Sequence, residues 1–356
     1  MNSEQLIAQL ADDPENTTLL AVLGDLLESQ GDPRGELIGM QLGIRRSTMA
    51  HAIEIAHRRK ELLEQLTPAI PSALAGDQGT HDRFEWGTGF IRRVTLGIRP
   101  TPPPRESIAG ALAELWAHPS LQILSELVTT NAHGVTLIAG TPPPPLRSLT
   151  ISRGSDADAD ALGELLGNLP RLERMQVIGG TPLHGLAHPT LAAIELDVFS
   201  TWNQLDALVP ADLPGVTRLH INLESDAQGS VECDAVIGSL AAAGWLDRLS
   251  GLALTQRLPT ASSVRRLAEA LGGRKLARLE VTGAPLPAPL AASLAALCDE
   301  LVAVVAVAEP AYVEHANKPE WGRGRIVRRF DGKVEIDFPG AGTKIFKADL
   351  PFLVFS

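Results

Sequence analysis

The chain has 356 residues, 44% hydrophobic and 21% charged, with a formal charge of −11. That length accommodates two or three compact units with sizeable cores and excludes a single small disulfide-stapled module; the composition excludes a largely disordered chain. The acidity excludes a protein that coats nucleic acid or an anionic membrane over its whole surface, although residues 310–356 alone carry +2 against −5 for residues 1–50 and −8 for residues 51–309.

Residues 1–75 read as helical. Asp13 and Pro14 are expected as an N-cap and first-turn pair, followed by an apolar stripe of helical period at Leu19, Leu20, Leu23, Leu26 and Leu27, with Gly31 as the stop. A second helix is predicted from Pro33 through Leu37, Ile38, Leu42 and Ile44, and a third from Ala50 to Leu66. The run Gly24-Asp25-Leu26-Leu27-Glu28-Ser29-Gln30-Gly31-Asp32-Pro33-Arg34-Gly35-Glu36-Leu37-Ile38 resembles the bacterial repeat-companion domain, with Leu26 where that family usually has tryptophan. The resemblance implies a short helical module in front of leucine-rich or related repeats, and it implies no activity.

Fifty-three leucines stand against 14 aromatics in the whole chain, and beyond residue 75 a pattern of Leu-x-x-Leu-x-Leu type recurs. It falls at Leu146/Leu149/Ile151, Leu172/Met175/Val177, Leu191/Ile194/Leu196, Val216/Leu219/Ile221, Leu249/Leu252/Leu254 and Leu276/Leu279/Val281, with a weaker match at Leu301/Val304. Successive starts lie 26, 19, 25, 33, 27 and 25 residues apart, which brackets the spacing of leucine-rich repeats. Each unit is expected to give one strand with its leucines inward and an outer return, so that stacking buries the leucines. Helical returns are predicted at Asp156–Leu169, Ser262–Leu271 and Leu290–Leu301. Upstream, Phe90–Leu96 and Leu121–Leu124 read as degenerate first units with a helix near Ser107–Ala117, and Phe84–Phe90 resembles the segment directly after the companion domain in its relatives. The consensus asparagine is missing from every unit. The runs Pro102–Pro104 and Pro142–Pro145 are too short for linkers and are expected as polyproline II turns.

From about Glu309 the pattern changes to short strands and turns. Seven of the 14 aromatics lie in residues 310–356, where leucine occurs only at Leu350 and Leu353. Arg325–Phe330, Asp331-Gly332 and Lys333–Phe338 read as a hairpin with an Asp-Gly turn, and Pro339–Gly342 as a second turn into Lys344-Ile345-Phe346. Alternation sends Phe330, Phe338 and Phe346 inward, and Gly322-x-Gly324 is expected to allow close strand packing. The run His315–Phe338, with Trp321-Gly322-Arg323-Gly324-Arg325-Ile326-Val327, resembles the Tudor-like barrel that closes some bacterial DNA helicases and related transcription-associated proteins. The expected fold class is therefore α/β: a leucine-rich-repeat solenoid (76–309) with an N-terminal helical module (1–75) and a C-terminal small SH3-like β-barrel (310–356).

Catalytic chemistry finds little support. Cys233 and Cys298 lack metal-ligand spacing and read as buried free thiols. Asp156, Asp158 and Asp160 open like a calcium loop, but Ala161 stands where its glycine is needed and Gly167 where its bidentate acid is needed, so helix N-terminal carboxylates explain them better. Thr181-Pro182-Leu183-His184 matches an ankyrin tetrapeptide once, without a recurring period, and His184 with His188 reads as a surface pair in a loop. There is no phosphate-binding glycine loop, nucleophile elbow or Cys/His constellation. No cofactor, metal or enzymatic activity is expected. A start without a basic n-region and the lack of long apolar runs lead to a cytoplasmic protein without a membrane partner as the expectation.

What remains is binding. Between the inward leucines, one column of Ser148, Arg174 and Arg218 with Arg278, and another of Thr150, Gln176, Glu195, His220 and Glu280, point to the concave face. Mixed charge with arginines in one register suits a protein partner. In the tail, Trp321, Arg323, Arg325, Arg328 and Arg329 combine aromatic and basic groups, the alternative being contact with nucleic acid or a transcription or repair protein.

Overall fold

A computed structural model describes residues 2–43, 49–68, 83–97, 105–129, 132–152, 159–178, 186–197, 209–223, 233–255, 259–305, 312–330, 333–347, 350 and 353–355. The chain divides into two compact units, Met1–Ala284 with Leu294–Val302, and Pro285–Ser293 with Ala303–Ser356.

The first unit opens with four helices, α1 (Ser3–Asp12), α2 (Thr17–Ser29), α3 (Pro33–Gly43) and α4 (Met49–Leu66). The cap of α2 is Asn16, whose side chain accepts from the Leu19 N–H at 3.0 Å. The expected Asp13-Pro14 start is thus corrected: Asp13 closes α1, because its N–H bonds back to the Gln9 carbonyl. Leu6, Leu10, Leu20, Leu23, Leu27 and Ile38 form one buried cluster with Phe90 and Ile123.

The stretch Gly31–Glu36 is a joint in which every side chain has a task. The chain leaves α2 through Gly31 at φ +75°, with the Gly31 N–H on the Glu28 carbonyl and the Asp32 N–H on the Leu27 carbonyl, a Schellman ending. Asp32 then accepts from the Arg34 backbone N–H at 2.9 Å and from its guanidinium at 2.6 Å, and Pro33 occupies the first turn of α3. Arg34 is buried; it donates to the Pro119 carbonyl at 2.8 Å and lies 5.2 Å from the centre of the Phe90 ring. Glu36 pairs with Arg58 of α4 at 2.7 Å.

Burial acts to raise the pKa of Asp32, but the hydrogen bonds and charge of Arg34 more than reverse this and hold the carboxyl below its ordinary value. Its contribution to stability is therefore complete above about pH 4, the unfolded value, and is lost as pH falls through the lower folded value. Asp32→Asn is expected to flatten the acid side of a urea-stability profile; an unchanged slope below about pH 4 would count against the pair.

Ten strands follow, adjacent in chain order: β1 (Phe84–Trp86) and β2 (Ile91–Leu96), then across helix α5 (Arg105–Trp116) β3 (Glu126–Thr129), across α6 (Ala132–Ala139) β4 (Ser148–Ser152), and across α7 (Ala159–Gly167) β5 (Arg174–Ile178). Then come β6 (Ala193–Asp197), β7 (Arg218–Asn222), α8 (Cys233–Ala242), β8 (Gly251–Thr255), α9 (Ala261–Leu271), β9 (Leu276–Leu286), α10 (Ala288–Ala295) and β10 (Cys298–Val305). β1 is antiparallel to β2, and the pairs from β2 to β9 are parallel. All six strong Leu-x-x-Leu-x-Leu matches fall at strands β4 to β9; all their apolar residues are buried, the second and third of each in two registered rows. One row runs Val94, Leu127, Leu149, Met175, Ile194, Leu219, Leu252 and Leu279.

Three expectations are corrected here. Leu290–Leu301 is not one helix: α10 ends at Ala295, and Leu301 and Val304 belong to β10. Pro119–Leu121 is a 3₁₀ turn, and the strand of that unit starts at Glu126. His188 is buried rather than on the surface, because its Nδ1 accepts from the Leu191 N–H at 3.0 Å, leaving Nε2 to donate to the Leu169 carbonyl at 3.0 Å. His184, the Thr181–His184 tetrapeptide, Asp156, Asp158 and Pro102–Pro104 lie outside the described residues; Asp160 sits in the first turn of α7. Both cysteines are buried, and neither forms a disulfide.

No asparagine row holds the turns that precede the strands. Instead, the carbonyls of Ser125, Arg147, Glu173, Ala192 and Thr217 each accept two successive N–H groups from the start of the next strand. Arginines cover other carbonyls along this rim: Arg147 reaches Asp12, Arg92 reaches Pro14, Arg248 reaches Pro210 and Pro214, and Arg274 reaches Leu246 and Leu249. Polar main-chain atoms removed from water are thereby satisfied.

In the second unit a five-stranded antiparallel sheet has the order β14-β13-β12-β11-β15, where β11 is Tyr312–His315, β12 Gly324–Phe330, β13 Lys333–Phe338, β14 Gly342–Lys347 and β15 Leu353–Phe355. Phe330 pairs with Lys333; Asp331 and Gly332, where the two-residue turn is expected, lie outside the described residues. Val313, Val334, Ile336, Phe338 and Leu353 are buried together, with Trp321 and Phe346 packed against them.

Candidate functional site

The return helices leave one face of the large sheet open. Because side chains alternate along a strand, the first and third residues of β3 to β8, and the third and fifth of β2 and β9, line this face, while the residues that follow each of them are buried. In the first row stand Arg93, Glu126, Ser148, Arg174, Ala193, Arg218, Gly251 and Arg278; in the second, Thr95, Val128, Thr150, Gln176, Glu195, His220, Ala253 and Glu280. All nine residues that the sequence assigned to the concave face line a single groove of about 420 Å³ on this surface.

Arg93 and Glu126 also line the groove and were missed. The signal for Arg93 was present as Ile91-x-x-Val94-x-Leu96, the same pattern one unit earlier. For Glu126 it was Leu124-x-x-Leu127, displaced by three residues from the run chosen and ending in the buried Thr129 rather than a leucine.

The second row is a hydrogen-bonded chain across the strands. Thr150 Oγ1 donates to Gln176 Oε1 at 3.2 Å, and Gln176 Nε2 donates to Glu195 Oε1 at 2.9 Å. His220 Nδ1 lies 3.4 Å from the same Glu195 oxygen, its Nε2 lies 3.4 Å from Thr255 Oγ1, and Thr255 donates to Asn222 at 3.0 Å. The His220 contact, opposed by burial and aided by Gln176, holds the Glu195 carboxyl below the usual carboxylate range. Glu195 is thus an ionised, oriented acceptor that tethers two neighbouring strands.

The first row differs in its balance of charge. Arg278 is held by Glu300 at 2.8 Å and Glu280 at 3.4 Å, and Arg93 by Glu85 at 3.1 Å with Glu126 at 3.9 Å. Arg174 and Arg218 are exposed and form no ion pair with any described residue. Between them in register sits Ala193, and between Arg218 and Arg278 sits Gly251.

In the second unit, Trp321 is half-buried and stacks its edge or face against His315 at 4.8 Å, Phe338 at 5.4 Å and Phe346 at 6.5 Å. Arg323 and Arg325 are exposed, and Arg325 stands opposite Asp337. The side chains of Arg328, Arg329 and Phe330 lie outside the described residues. Among the described residues no group of three or more His, Cys, Asp or Glu is placed to hold a metal ion, and no helix is long and apolar enough to cross a membrane.

Residues 309–354 match the family described as "Protein of unknown function (DUF3553)". The match spans β11 to β14 and reaches into β15, and its description assigns no activity. No curated protein matches the chain.

Proposed function

We propose that the protein is a non-enzymatic interaction scaffold: a leucine-rich-repeat solenoid, capped by a repeat-companion module and followed by an SH3-like barrel, that binds a protein partner on the open face of its large sheet. The observation that carries this reading is the gathering of all nine column residues into one groove with two arginines near its middle that pair with no described residue. Arginine in such a position supplies several donors at once and is favoured at interface centres.

The test is affinity capture from the native cell with the full chain. Replacing Arg174, Arg218 and Arg278 together with glutamate is expected to weaken capture of the partner at least about tenfold, while the circular dichroism spectrum stays that of the parent. An unchanged set of captured proteins sinks the reading. A second reading, contact of the tail with nucleic acid or a transcription or repair protein, is favoured by the exposed Arg323, Arg325, Lys333, Lys344 and Lys347. Capture that disappears on nuclease treatment, or that survives the triple replacement but is lost when Arg323 and Arg325 are neutralised, supports this alternative.

A further inference from the structure

Neighbouring strands stand about 4.8 Å apart, so residues two strands apart in one row are separated by roughly 10 Å. Arg174 and Arg218 have that separation, with only the methyl group of Ala193 between them. Beyond Arg218 the row continues over Gly251, where an added Cβ would come 3.2 Å from the Arg218 Cγ. Between Arg174 and Arg218 the row is therefore low, and at Gly251 the stem of Arg218 itself fills the place of a side chain. The arginines towards its ends are neutralised by their own glutamates, and the nearest acid in the second row, Glu195, is engaged by Gln176 and His220.

From this geometry, and resting on the proposed reading of the open face, we propose that the partner presents an extended acidic segment laid across the strands. Its carboxylates sit on Arg174 and Arg218. The conformation that fits is polyproline II, whose three-residue turn rises about 9.3 Å and returns a side chain to the same side. A β-strand repeats at about 6.8 Å and would miss the second arginine. A helix with side chains is about 10–12 Å wide, whereas the two rows are about 7 Å apart along each strand. The predicted motif is thus an acidic residue at every third position in a proline-rich or otherwise extended stretch. Nucleic acid fits less well, because no Phe, Tyr or Trp lining the groove offers a stacking surface for bases.

The experiment uses the full chain and a fluorescent peptide of repeated Glu-Pro-Pro triplets, followed by anisotropy. The comparison probes are a Lys-Pro-Pro peptide, a peptide of the same composition with its glutamates contiguous, and a single-stranded DNA oligonucleotide. The Glu-Pro-Pro peptide is expected to bind most tightly, to weaken with added salt, and to lose at least about tenfold in affinity on Arg174→Glu with Arg218→Glu. Ala193→Trp, which keeps both arginines but fills the space between them, is expected to cause a similar loss. Equal binding of the contiguous or lysine peptide, tighter binding of the oligonucleotide, or full affinity in both variants overturns the inference. If the cellular partner is lost from the triple variant while the Glu-Pro-Pro peptide fails to bind, the acidic segment alone is refuted. If the captured proteins are unchanged, the reading of the face falls with it.

Discussion

Replacing Gly35 by valine is expected to destabilise the first unit by more than about 3 kcal/mol and to leave little folded protein at 37 °C. A Cβ at this position would lie 2.3 Å from the Glu28 nitrogen and 2.7 Å from the Gly24 carbonyl oxygen. Both are main-chain atoms of α2, so no rotamer change relieves the clash; α2 and α3 must separate. The facing Gly24 is also confined, though less tightly, with its missing Cβ 2.9 Å from the Ile38 side chain. Separation would also draw Arg34 away from the Pro119 carbonyl and the Phe90 ring, exposing a buried guanidinium site and opening the cluster beneath it. A control lies one turn further on. Nothing lies within 4 Å of a Cβ at Gly39 in the same helix, so Gly39→Ala is expected to be neutral or to stabilise by up to about 1 kcal/mol. Urea denaturation of Gly35→Ala beside Gly39→Ala gives the comparison, and equal stability of the two would show that the close helix contact is wrong.

The second large effect is expected at Gly324. A side chain there would strike Ile336 Cγ2 at 2.6 Å and the Phe338 ring at 2.6 Å. A surface ring could turn aside, but Phe338 is almost fully buried and is backed by Trp321 at 5.4 Å and Phe346 at 6.2 Å. Gly324→Val should therefore break the packing of the antiparallel sheet, costing about 3 kcal/mol or more. Limited proteolysis is expected to show cleavage within residues 312–347 at protease doses that leave the parent chain intact. Combining Gly324→Ala with Phe338→Leu, which removes ring atoms from the collision, should be less harmful than the sum of the two single changes. Strict additivity would mean that the two positions do not meet.

Which parts of this architecture could be read from residues alone depends on the distance over which each is specified. The strands β4 to β9 and their open-face residues were legible because a buried apolar position recurs in every unit and alternation settles the rest within five residues. The boundary between α10 and β10 was not, since Leu290–Leu301 is apolar at spacings that serve a helix or a strand equally. The arginines of the rim were read only as charge: Arg147 meets its carbonyl 135 residues away and Arg248 meets its own 38 away, and no local pattern announces such a partner. His188 misled for a related reason. Its glycine and proline neighbours announce a loop, yet both ring nitrogens satisfy main-chain groups inside the fold.

The doubly accepting carbonyls that hold the starts of β4 to β8 bear on how such a chain can change over time. They bind each of these five strands to the unit before it at one fixed point, through main-chain atoms, while the outer return between two such points is free in length. Units separated by 19 or by 33 residues can therefore keep the same register of side chains on the open face. Insertions and deletions in the returns are tolerated without moving the binding residues, whereas a single residue gained or lost between carbonyl and strand would turn the leucines of that unit outward.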